Sequence, residues 1–379
     1  MSIYTPICDL LGISAPIFAF TRSREVVAAV SRAGGLGVLG AIAFTPEELD
    51  RELDWLDANL GGLPYGVDIV MPASYVGADT GGITKEALDK MIPEGHRAFV
   101  EKMLERYEVP PLPKDAPPPP SLLGWSHEAG RSHVDVALRH PTRLLANALG
   151  PPPADVVALA HKQGVKVAAL VGTVAQARKQ VEAGVDVIVA VGTEAGGHTG
   201  EVGTMVIVPD VVDAVHPTPV LAAGGIGSGR QVAASLALGA QGVWTGSIWL
   251  TVEESGSHPV LIEKMLRATS SDTVRSKCIS GKPARQLKTA WTEAWDGKDS
   301  PGALPMPLQY MAVSDATARI YRASDQDGSR ARELLGTPVG QIVGRMNEVR
   351  STKAVMEALL AECDAATARL GAVVRNSNQ

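Results

Sequence analysis

The sequence predicts an α/β fold, a (β/α)8 TIM barrel with a helical, proline-rich insertion and a C-terminal helical extension. From Ala15 onward, short apolar runs with strand character alternate with helical stretches, the pattern of parallel strands joined by crossover helices. Several runs are nearly continuous in Val, Ile, Leu and Ala, as is typical of strands buried on both faces. Eight such runs can be counted, and this number indicates a closed barrel.

The predicted strands are short and are separated by turns and helices. They are Pro16 to Phe20, Gly37 to Gly40, Tyr65 to Val70, Arg143 to Leu149, Lys166 to Val171, Asp186 to Val191, Pro219 to Ala223 and Gly242 to Thr245. The predicted helices are Arg24 to Ala33, Pro46 to Asn59, Ala154 to Gln163, Val174 to Ala183 and Gln231 to Leu238. Thr45 before Pro46 is typical of a helix start, and Gly184 is typical of a helix end.

Two segments do not fit the alternation. One is an insertion that divides the barrel into residues 1–73 and 142–268, and the other follows the barrel. Residues 74–141 form a predicted insertion, which we interpret as a lid or side-wall. It contains a helix from Glu86 to Tyr107, a proline-rich stretch from Val109 to Pro120, and a second helix with His127 and His133. Residues 269–379 are a predicted extension, irregular at first, that packs on the outside of the barrel and ends in a long helix from Thr352 to Leu370.

Composition and charge exclude several classes of partner. The net charge is −6 without basic blocks, so a nucleic-acid partner is not expected. Cys8, Cys278 and Cys363 are far apart and the histidines lack zinc spacing, so we predict neither disulfides nor a metal site. No apolar run reaches the ~18 residues that span a bilayer, and no secretory signal is evident. We therefore expect a cytoplasmic protein without a membrane partner, and a homodimer is compatible with this sequence.

The chemistry is expected at the carboxyl ends of the strands, where (β/α)8 barrels place their active sites. The strand ending at Val191 leads into a loop from Gly192 to Gly200 that is dense in glycine and carries His198. An imidazole beside glycines that admit a flat ligand can exchange a proton near neutral pH. The alternative is a histidine that only hydrogen-bonds its own loop. The strand-end position favours a catalytic role for His198.

Two further loops are compatible with a phosphate group. Ala223 is followed by Gly224 and Gly225, and the last strand runs into Gly246 and Ser247. Barrels of this class often bind phosphate with the loops after strands seven and eight, through backbone N–H groups and a short helix. These glycines could instead only form tight turns, but their presence at both positions favours phosphate binding.

Together these motifs resemble the nitronate monooxygenase (2-nitropropane dioxygenase) family. The resemblance rests on five segments, which are 15–20, 33–37, 194–198, 222–226 and 245–247, the last followed by 253–255. The histidine loop and the Gly-Gly-Ile loop are also very similar in flavin-dependent enoyl-thioester reductases. The sequence departs from the family pattern at Phe18, Phe20 and Arg22, and Asp68 stands where Asn is common. These departures bear on the identity of the substrate.

The resemblance implies FMN as cofactor and His198 as the catalytic residue. It implies that the phosphate is held by Gly224, Gly225, Gly246 and Ser247, next to Ala223, and that the flavin is contacted by Ala19, Phe20, Asp68, Gly192, Gly196 and Gly197. The leading hypothesis is oxidation of a nitronate or nitroalkane with O2 as the partner. One alternative is an NAD(P)H-dependent reductase of an unsaturated acyl thioester, and another is a flavin-binding barrel without turnover.

Overall fold

The computed structural model describes residues 3–72, 76, 84–116 and 127–376, and within them it shows a closed barrel of eight parallel strands. The barrel strands are β1 Ile17–Thr21, β2 Leu36–Gly40, β3 Tyr65–Val70, β4 Leu144–Ala148, β5 Lys166–Val171, β6 Val187–Val191, β8 Val220–Ala223 and β9 Gly242–Thr245. A two-residue strand, β7 Gly197–His198, lies outside the barrel sheet. All eight predicted strands and the barrel are confirmed.

Side chains alternate between the barrel interior and the surrounding helices, as the two-residue period of a strand requires. One buried cluster fills the interior and includes Phe18, Val38, Leu144, Val189 and Trp244. The same cluster includes Ile7, Cys8 and Leu11 from the short helix α1 Pro6–Leu11, which covers the amino-terminal end of the barrel. The barrel is therefore packed at its base, and only the opposite end can hold a ligand.

The outer layer consists of helices that follow the strands. They are α2 Arg24–Arg32, α3 Pro46–Leu60, α6 His127–Ala137, α7 Ala154–Lys162, α8 Val174–Glu182, α9 Thr204–Val215 and α10 Gly229–Ala237. The predicted start of α3 is confirmed. The Thr45 hydroxyl accepts a hydrogen bond from the Glu48 amide, and the Glu48 carboxylate accepts one from the Thr45 amide. The predicted barrel helices are confirmed, whereas α9 was not predicted.

The structure corrects the interior of the insertion. The single helix predicted from Glu86 to Tyr107 is two helices, α4 Lys85–Lys90 and α5 Glu94–Arg106, separated at Pro93, the N-cap of α5. Helix α6 packs against α3 and β3, so it fills the outer-layer position between β3 and β4. Residues 117–120 of the proline-rich stretch lie outside the described residues. The division into domains stays a prediction.

The segment after residue 268 is more ordered than expected. Its elements are β10 Thr273–Ser276, β11 Ala284–Leu287, α12 Ala290–Trp295, α13 Leu308–Ala323, α14 Ala331–Leu334 and α15 Thr352–Asn376, after helix α11 Pro259–Arg267. Strands β10, β11 and β7 form a small antiparallel sheet, so the expectation of an irregular start was wrong. Helix α15 packs outside the barrel against α10 and α2, as predicted. Within the described ranges, no helix combines the length and the apolar character needed to cross a membrane.

The contact between α10 and α15 requires a glycine. The Glu362 carboxylate on α15 accepts a hydrogen bond from the Gly229 amide at 3.0 Å, and a Cβ on Gly229 would meet the backbone of Leu359 and Cys363. Gly229→Ala should therefore lower the free energy of unfolding by roughly 1–3 kcal/mol, the usual range for overpacking. The measurement is urea unfolding. Gly371→Ala on α15 is the matched control because no atom lies within 4 Å of its Cβ position, and an equal effect of both changes would contradict the argument.

Candidate active site

The carboxyl ends of the strands form a mouth lined by small and polar residues. Phe20 points into it and lies close to two glycines, since a Cβ on Gly40 would be 2.9 Å from the Phe20 ring and one on Gly246 would be 3.8 Å away. Ala223 belongs to the interior cluster, whereas Ala19 belongs to the outer cluster. The side chain of Ala19 thus faces the helices, and only its backbone could approach a bound ligand.

His198 is held at this mouth by the C-terminal extension. Strand β7 pairs with β11, with His198 opposite Ala284 and Gly197 opposite Arg285. The Nε2 atom of His198 lies 2.7 Å from the hydroxyl oxygen of Ser280, which is fully buried. The position of the imidazole ring is therefore fixed by a residue 82 positions later in the chain.

The surroundings of His198 favour the neutral imidazole. Burial lowers its pKa to about 4, and the positive charge of Lys282 adds to this effect. Two arginines of the small sheet bind the same loop: Arg285 donates to the Thr193 carbonyl at 2.8 Å and Arg275 to the Thr199 carbonyl at 3.3 Å. At neutral pH the ring is therefore in its neutral form, which carries one unprotonated nitrogen.

A carboxylate connects the histidine loop to the loop after β8. Glu194 accepts hydrogen bonds from the Thr204 amide at 3.0 Å and from the Thr204 hydroxyl at 2.8 Å. The same hydroxyl lies 3.0 Å from the Gly224 carbonyl. A Cβ on Gly192 or Gly224 would collide with Thr204, so these two glycines are required by packing within the protein. The network holds both loops in one arrangement.

The two predicted phosphate loops differ in their surroundings. Gly224 and Gly225 have φ values of 112° and 65°, a region that favours glycine, and they border a cavity of about 460 Å³ whose walls do not include Gly246 or Ser247. Ser247 opens a short 3-10 helix, Ser247–Trp249, and its hydroxyl accepts a hydrogen bond from the Gly340 amide at 2.8 Å. That hydroxyl keeps its own proton to donate to a ligand.

Of the glycines expected along the flavin, Gly197 has open space around it and Gly196 does not. A Cβ on Gly197 would meet no atom within 4 Å, and its φ of 77° favours glycine. A Cβ on Gly196 would lie 2.8 Å from the Gly340 amide and from Val339. Gly196 is thus packed against the C-terminal extension on that side, and Gly197 is the better placed of the two for close approach by a ligand.

Asp68 is a buried acid inside the barrel. Its neighbours Val67 and Ile69 belong to the outer cluster, so Asp68 points inward, and it is 5% exposed. No described residue gives it a hydrogen bond or an ion pair. Burial raises the pKa of the Asp68 carboxyl to about 8. The group is therefore mostly protonated at neutral pH and can donate a hydrogen bond.

Arg22 follows β1 at the mouth and lies near Tyr310 of α13. Its side chain is accessible to solvent, yet the surrounding protein lowers the pKa of the guanidinium below its ordinary value, with Tyr310 acting in the opposite direction. Tyr310 packs with Val70, Met306 and Ala148, so the extension supplies part of the wall of the mouth.

Several residues that shape the site were not predicted from the sequence. They are Glu194, Thr204, Ser280, Arg285 and Tyr310. Glu194 lies within the recognised loop, and its acidic side chain beside glycines was an available signal. Ser280, Arg285 and Tyr310 come from a segment without clear periodicity, and no local pattern marks them.

Relatives with known names match most of the chain. The sequence profile of the nitronate monooxygenase family matches residues 5–362. A Mycobacterium tuberculosis protein named provisionally as a monooxygenase is 55% identical over 93% of this chain and 94% of its own length. A Staphylococcus saprophyticus protein named provisionally as a nitronate monooxygenase is 31% identical over 76% of this chain and 79% of its own length.

Solved structures show the same architecture. Nitroalkane oxidase from Streptomyces ansochromogenes superposes with a TM-score of 0.77 at 26% identity, covering 96% of this chain and 99% of its own. FabK from Thermotoga maritima superposes with a TM-score of 0.71 at 26% identity, covering 98% of this chain and 100% of its own. The resemblance found in the sequence is confirmed, and the chain belongs to the nitronate monooxygenase family.

Proposed function

We propose that this protein is an FMN-dependent nitronate monooxygenase that oxidises nitronates or nitroalkanes with O2 in the cytoplasm. The observation that carries the proposal is a neutral imidazole, His198, fixed by Ser280 at the barrel mouth of a member of this family. Such a group can remove the proton next to a nitro group.

The residues at the mouth fit a flavin. Gly197 has open space around it and Gly246 meets only the Phe20 ring, so a planar ring and its chain could approach both closely. The buried Asp68 has no hydrogen-bond partner among the described residues, and a heteroatom of the ring could be that partner. A phosphate would be held by the Gly224–Gly225 and Gly246–Ser247 loops. When bound, the flavin would supply the redox chemistry, taking an electron pair from the substrate for transfer to O2.

The chain itself would position the substrate and move one proton. His198 would accept the proton at the carbon that bears the nitro group, and Ser280 would keep the ring oriented. The protonated Asp68 would add a hydrogen-bond donor without a negative charge that repels an anionic nitronate. These roles assign proton transfer and orientation to the protein and leave electron transfer to the cofactor.

The likeness to FabK supports a second candidate, reduction of an unsaturated acyl thioester with NAD(P)H. The two candidates differ in what bleaches the flavin under anaerobic conditions. We expect the absorption of the purified yellow protein to bleach with a nitronate and not with NADPH. The reverse result would establish the reductase, and a purified protein without flavin absorption would overturn both candidates.

Gly246→Leu should release the flavin without unfolding the protein. A Cβ on Gly246 would meet only the Phe20 ring, at an ordinary contact distance of 3.8 Å, and the φ of −133° is outside the left-handed region, so the barrel tolerates a side chain there. That side chain would occupy the space proposed for the cofactor. The measurement is flavin content after gel filtration, with circular dichroism to verify the fold. A folded variant that keeps its full flavin content would remove Gly246 from the cofactor site.

His198→Asn should keep the fold and the flavin and lose activity selectively. Asn is polar but cannot act as a base, so flavin reduction by a neutral nitroalkane should slow by roughly 10²-fold or more. A preformed nitronate has already lost its proton and should suffer less. Both rates are measured by stopped-flow absorption. Ser280→Ala should slow both reactions less than His198→Asn does, and the loss should again be larger with the nitroalkane than with the nitronate. The reason is that this change releases the imidazole ring without removing it.

The interpretation of the His198 variant depends on the ratio of the two losses. Equal losses on nitroalkane and nitronate would indicate a role in binding instead of proton removal. Unchanged rates on both would mean that His198 only hydrogen-bonds its own loop and Ser280.

Asp68→Asn should change how stability depends on pH. The Asp68 carboxyl has a pKa of about 8 in the folded protein, above the ~3.9 of an unfolded chain. Its contribution to the free energy of unfolding is therefore fully present below about pH 4 and is lost as the pH rises through 8. Asn keeps a donor without ionising. At pH 9 we expect the free energy of unfolding of the variant, measured in urea, to be higher than that of wild type by at least about 1.4 kcal/mol, the equivalent of one pKa unit. Asp210→Asn, at an exposed position on α9, is the control, and equal pH curves for wild type and Asp68→Asn would contradict the assignment.

A further inference from the structure

A second cavity, formed mainly by the C-terminal extension, lies beside the end of the histidine loop. It has a volume of about 320 Å³ and is bordered by strand β10, by the connection from β10 to β11 and by the end of helix α12. Glu201, just after the histidine loop, belongs to its wall, whereas His198, Gly246 and Ser247 do not. The cavity is therefore separate from the proposed flavin site, and its volume is that of a site for a small molecule.

The wall of this cavity carries two positive and two negative side chains. Arg275 lies in β10 and Lys277 follows two positions later, on the same face of the extended chain. The Arg275 Nη1 atom is 3.8 Å from Oε1 of Glu201, which is longer than a hydrogen bond. Asp296 accepts a hydrogen bond from the Ser276 hydroxyl at 2.9 Å. Lys277 has no side-chain hydrogen bond or ion pair with any described residue, so the opposite charges are incompletely paired.

Two buried N–H groups of residues in the same wall lack an acceptor. They are Nε of Arg275 and the indole Nε1 of Trp295, and neither has a hydrogen-bond partner among the described residues. Trp295 is only 4% exposed, and its ring packs against Phe99 and Trp291, with ring centroids 5.0 and 6.1 Å away. A buried donor without an acceptor costs free energy, and oxygen atoms of a ligand would offset that cost.

This set of groups favours a small zwitterion over an ion of one sign. The basic side chains and the two unpaired N–H donors match a carboxylate, while Glu201 and Asp296 match an ammonium group. A purely anionic ligand would meet the two carboxylates of the wall, and a purely cationic one would meet the two basic side chains. Pro283 and Ala303 complete the wall and offer apolar surface to a short carbon chain.

We propose that this cavity is a second ligand site, which binds a small amino acid with its carboxylate at Arg275 and Lys277 and its ammonium group at Asp296. Arg275 also donates a hydrogen bond to the carbonyl of Thr199, the residue after His198. The ligand would thus contact the side chain that holds the histidine loop. The inference does not depend on the reaction proposed for the mouth of the barrel.

The first test is equilibrium binding by calorimetry on the purified flavin-containing protein. The probes are L-2-aminobutyrate, butyrate, which lacks the ammonium group, and propylamine, which lacks the carboxylate. Wild type should bind 2-aminobutyrate at least about 10-fold more tightly than either of the others, the scale of one charge-assisted hydrogen bond. Equal affinities for the three probes, or no heat of binding with 2-aminobutyrate, would overturn the proposal.

Charge-neutral variants assign each end of the ligand. Lys277→Gln should weaken 2-aminobutyrate binding roughly 10-fold and leave propylamine binding unchanged, because only the carboxylate loses a partner. Asp296→Asn should weaken it by roughly the same factor and leave butyrate binding unchanged, and Asn still accepts from the Ser276 hydroxyl. Lys298→Gln and Asp299→Asn are the matched controls, since both residues are exposed and neither belongs to the wall. Equal effects of test and control variants would contradict the assignment.

The second test locates the ligand by tryptophan fluorescence. Titration with 2-aminobutyrate should change the emission of wild type, because the ligand accepts a hydrogen bond from the Trp295 indole. Trp295→Phe should lose this change, and Trp55→Phe, on α3, should keep it. A change that persists in Trp295→Phe would place the ligand elsewhere and overturn the proposal.

Binding to His198→Asn separates this site from the mouth. The variant should bind 2-aminobutyrate as wild type does, because His198 is not part of the wall. Loss of binding in this variant would place the ligand at the mouth and overturn the proposal. None of these measurements needs turnover, so failure of the proposed function would leave their outcome unchanged.

Discussion

The pairing of two short strands, β7 with β11, is the contact on which the arrangement of the site depends. It joins the loop that carries His198 to the C-terminal extension through backbone hydrogen bonds and the two arginine contacts to Thr193 and Thr199. Within the barrel, Thr204 holds the part of this loop around Glu194, and the pairing with β11 holds the part that carries His198. Because Ser280 lies in the connection between β10 and β11, the same pairing also fixes the imidazole ring.

The mouth of the barrel combines ionisable groups with a low-dielectric environment. Burial is the largest effect on the pKa of His198 and on that of Asp68, and both groups are therefore less charged than they would be in water, whereas Arg22 remains a cation. Such shifts are typical of functional sites, where protonation states must suit the reaction at neutral pH. Here they give a neutral imidazole and a neutral carboxyl at the mouth.

The barrel could be predicted from the sequence because its signals are local. Buried parallel strands read as apolar runs, and helix boundaries carry Thr, Pro and Gly. The break at Pro93 and the helix from Thr204 were missed; the latter follows a glycine-dense loop and contains Pro209. The candidate site was only partly predictable, because Ser280 and Tyr310 reach it by contacts distant in sequence. The outward direction of Ala19 follows from alternation with Phe18 and could have been inferred.

The C-terminal extension is synthesised after all the strands of the barrel, and this order determines when the mouth is complete. Every barrel strand precedes the residues that orient His198 and the helix that faces Arg22. During synthesis, a nascent barrel can close before Ser280 and Tyr310 have left the ribosome, but its mouth then lacks both the partner of the imidazole and part of its wall. Completion of the mouth is therefore a late event in biogenesis, and a chain terminated before Ser280 would lack the residue that holds the His198 ring.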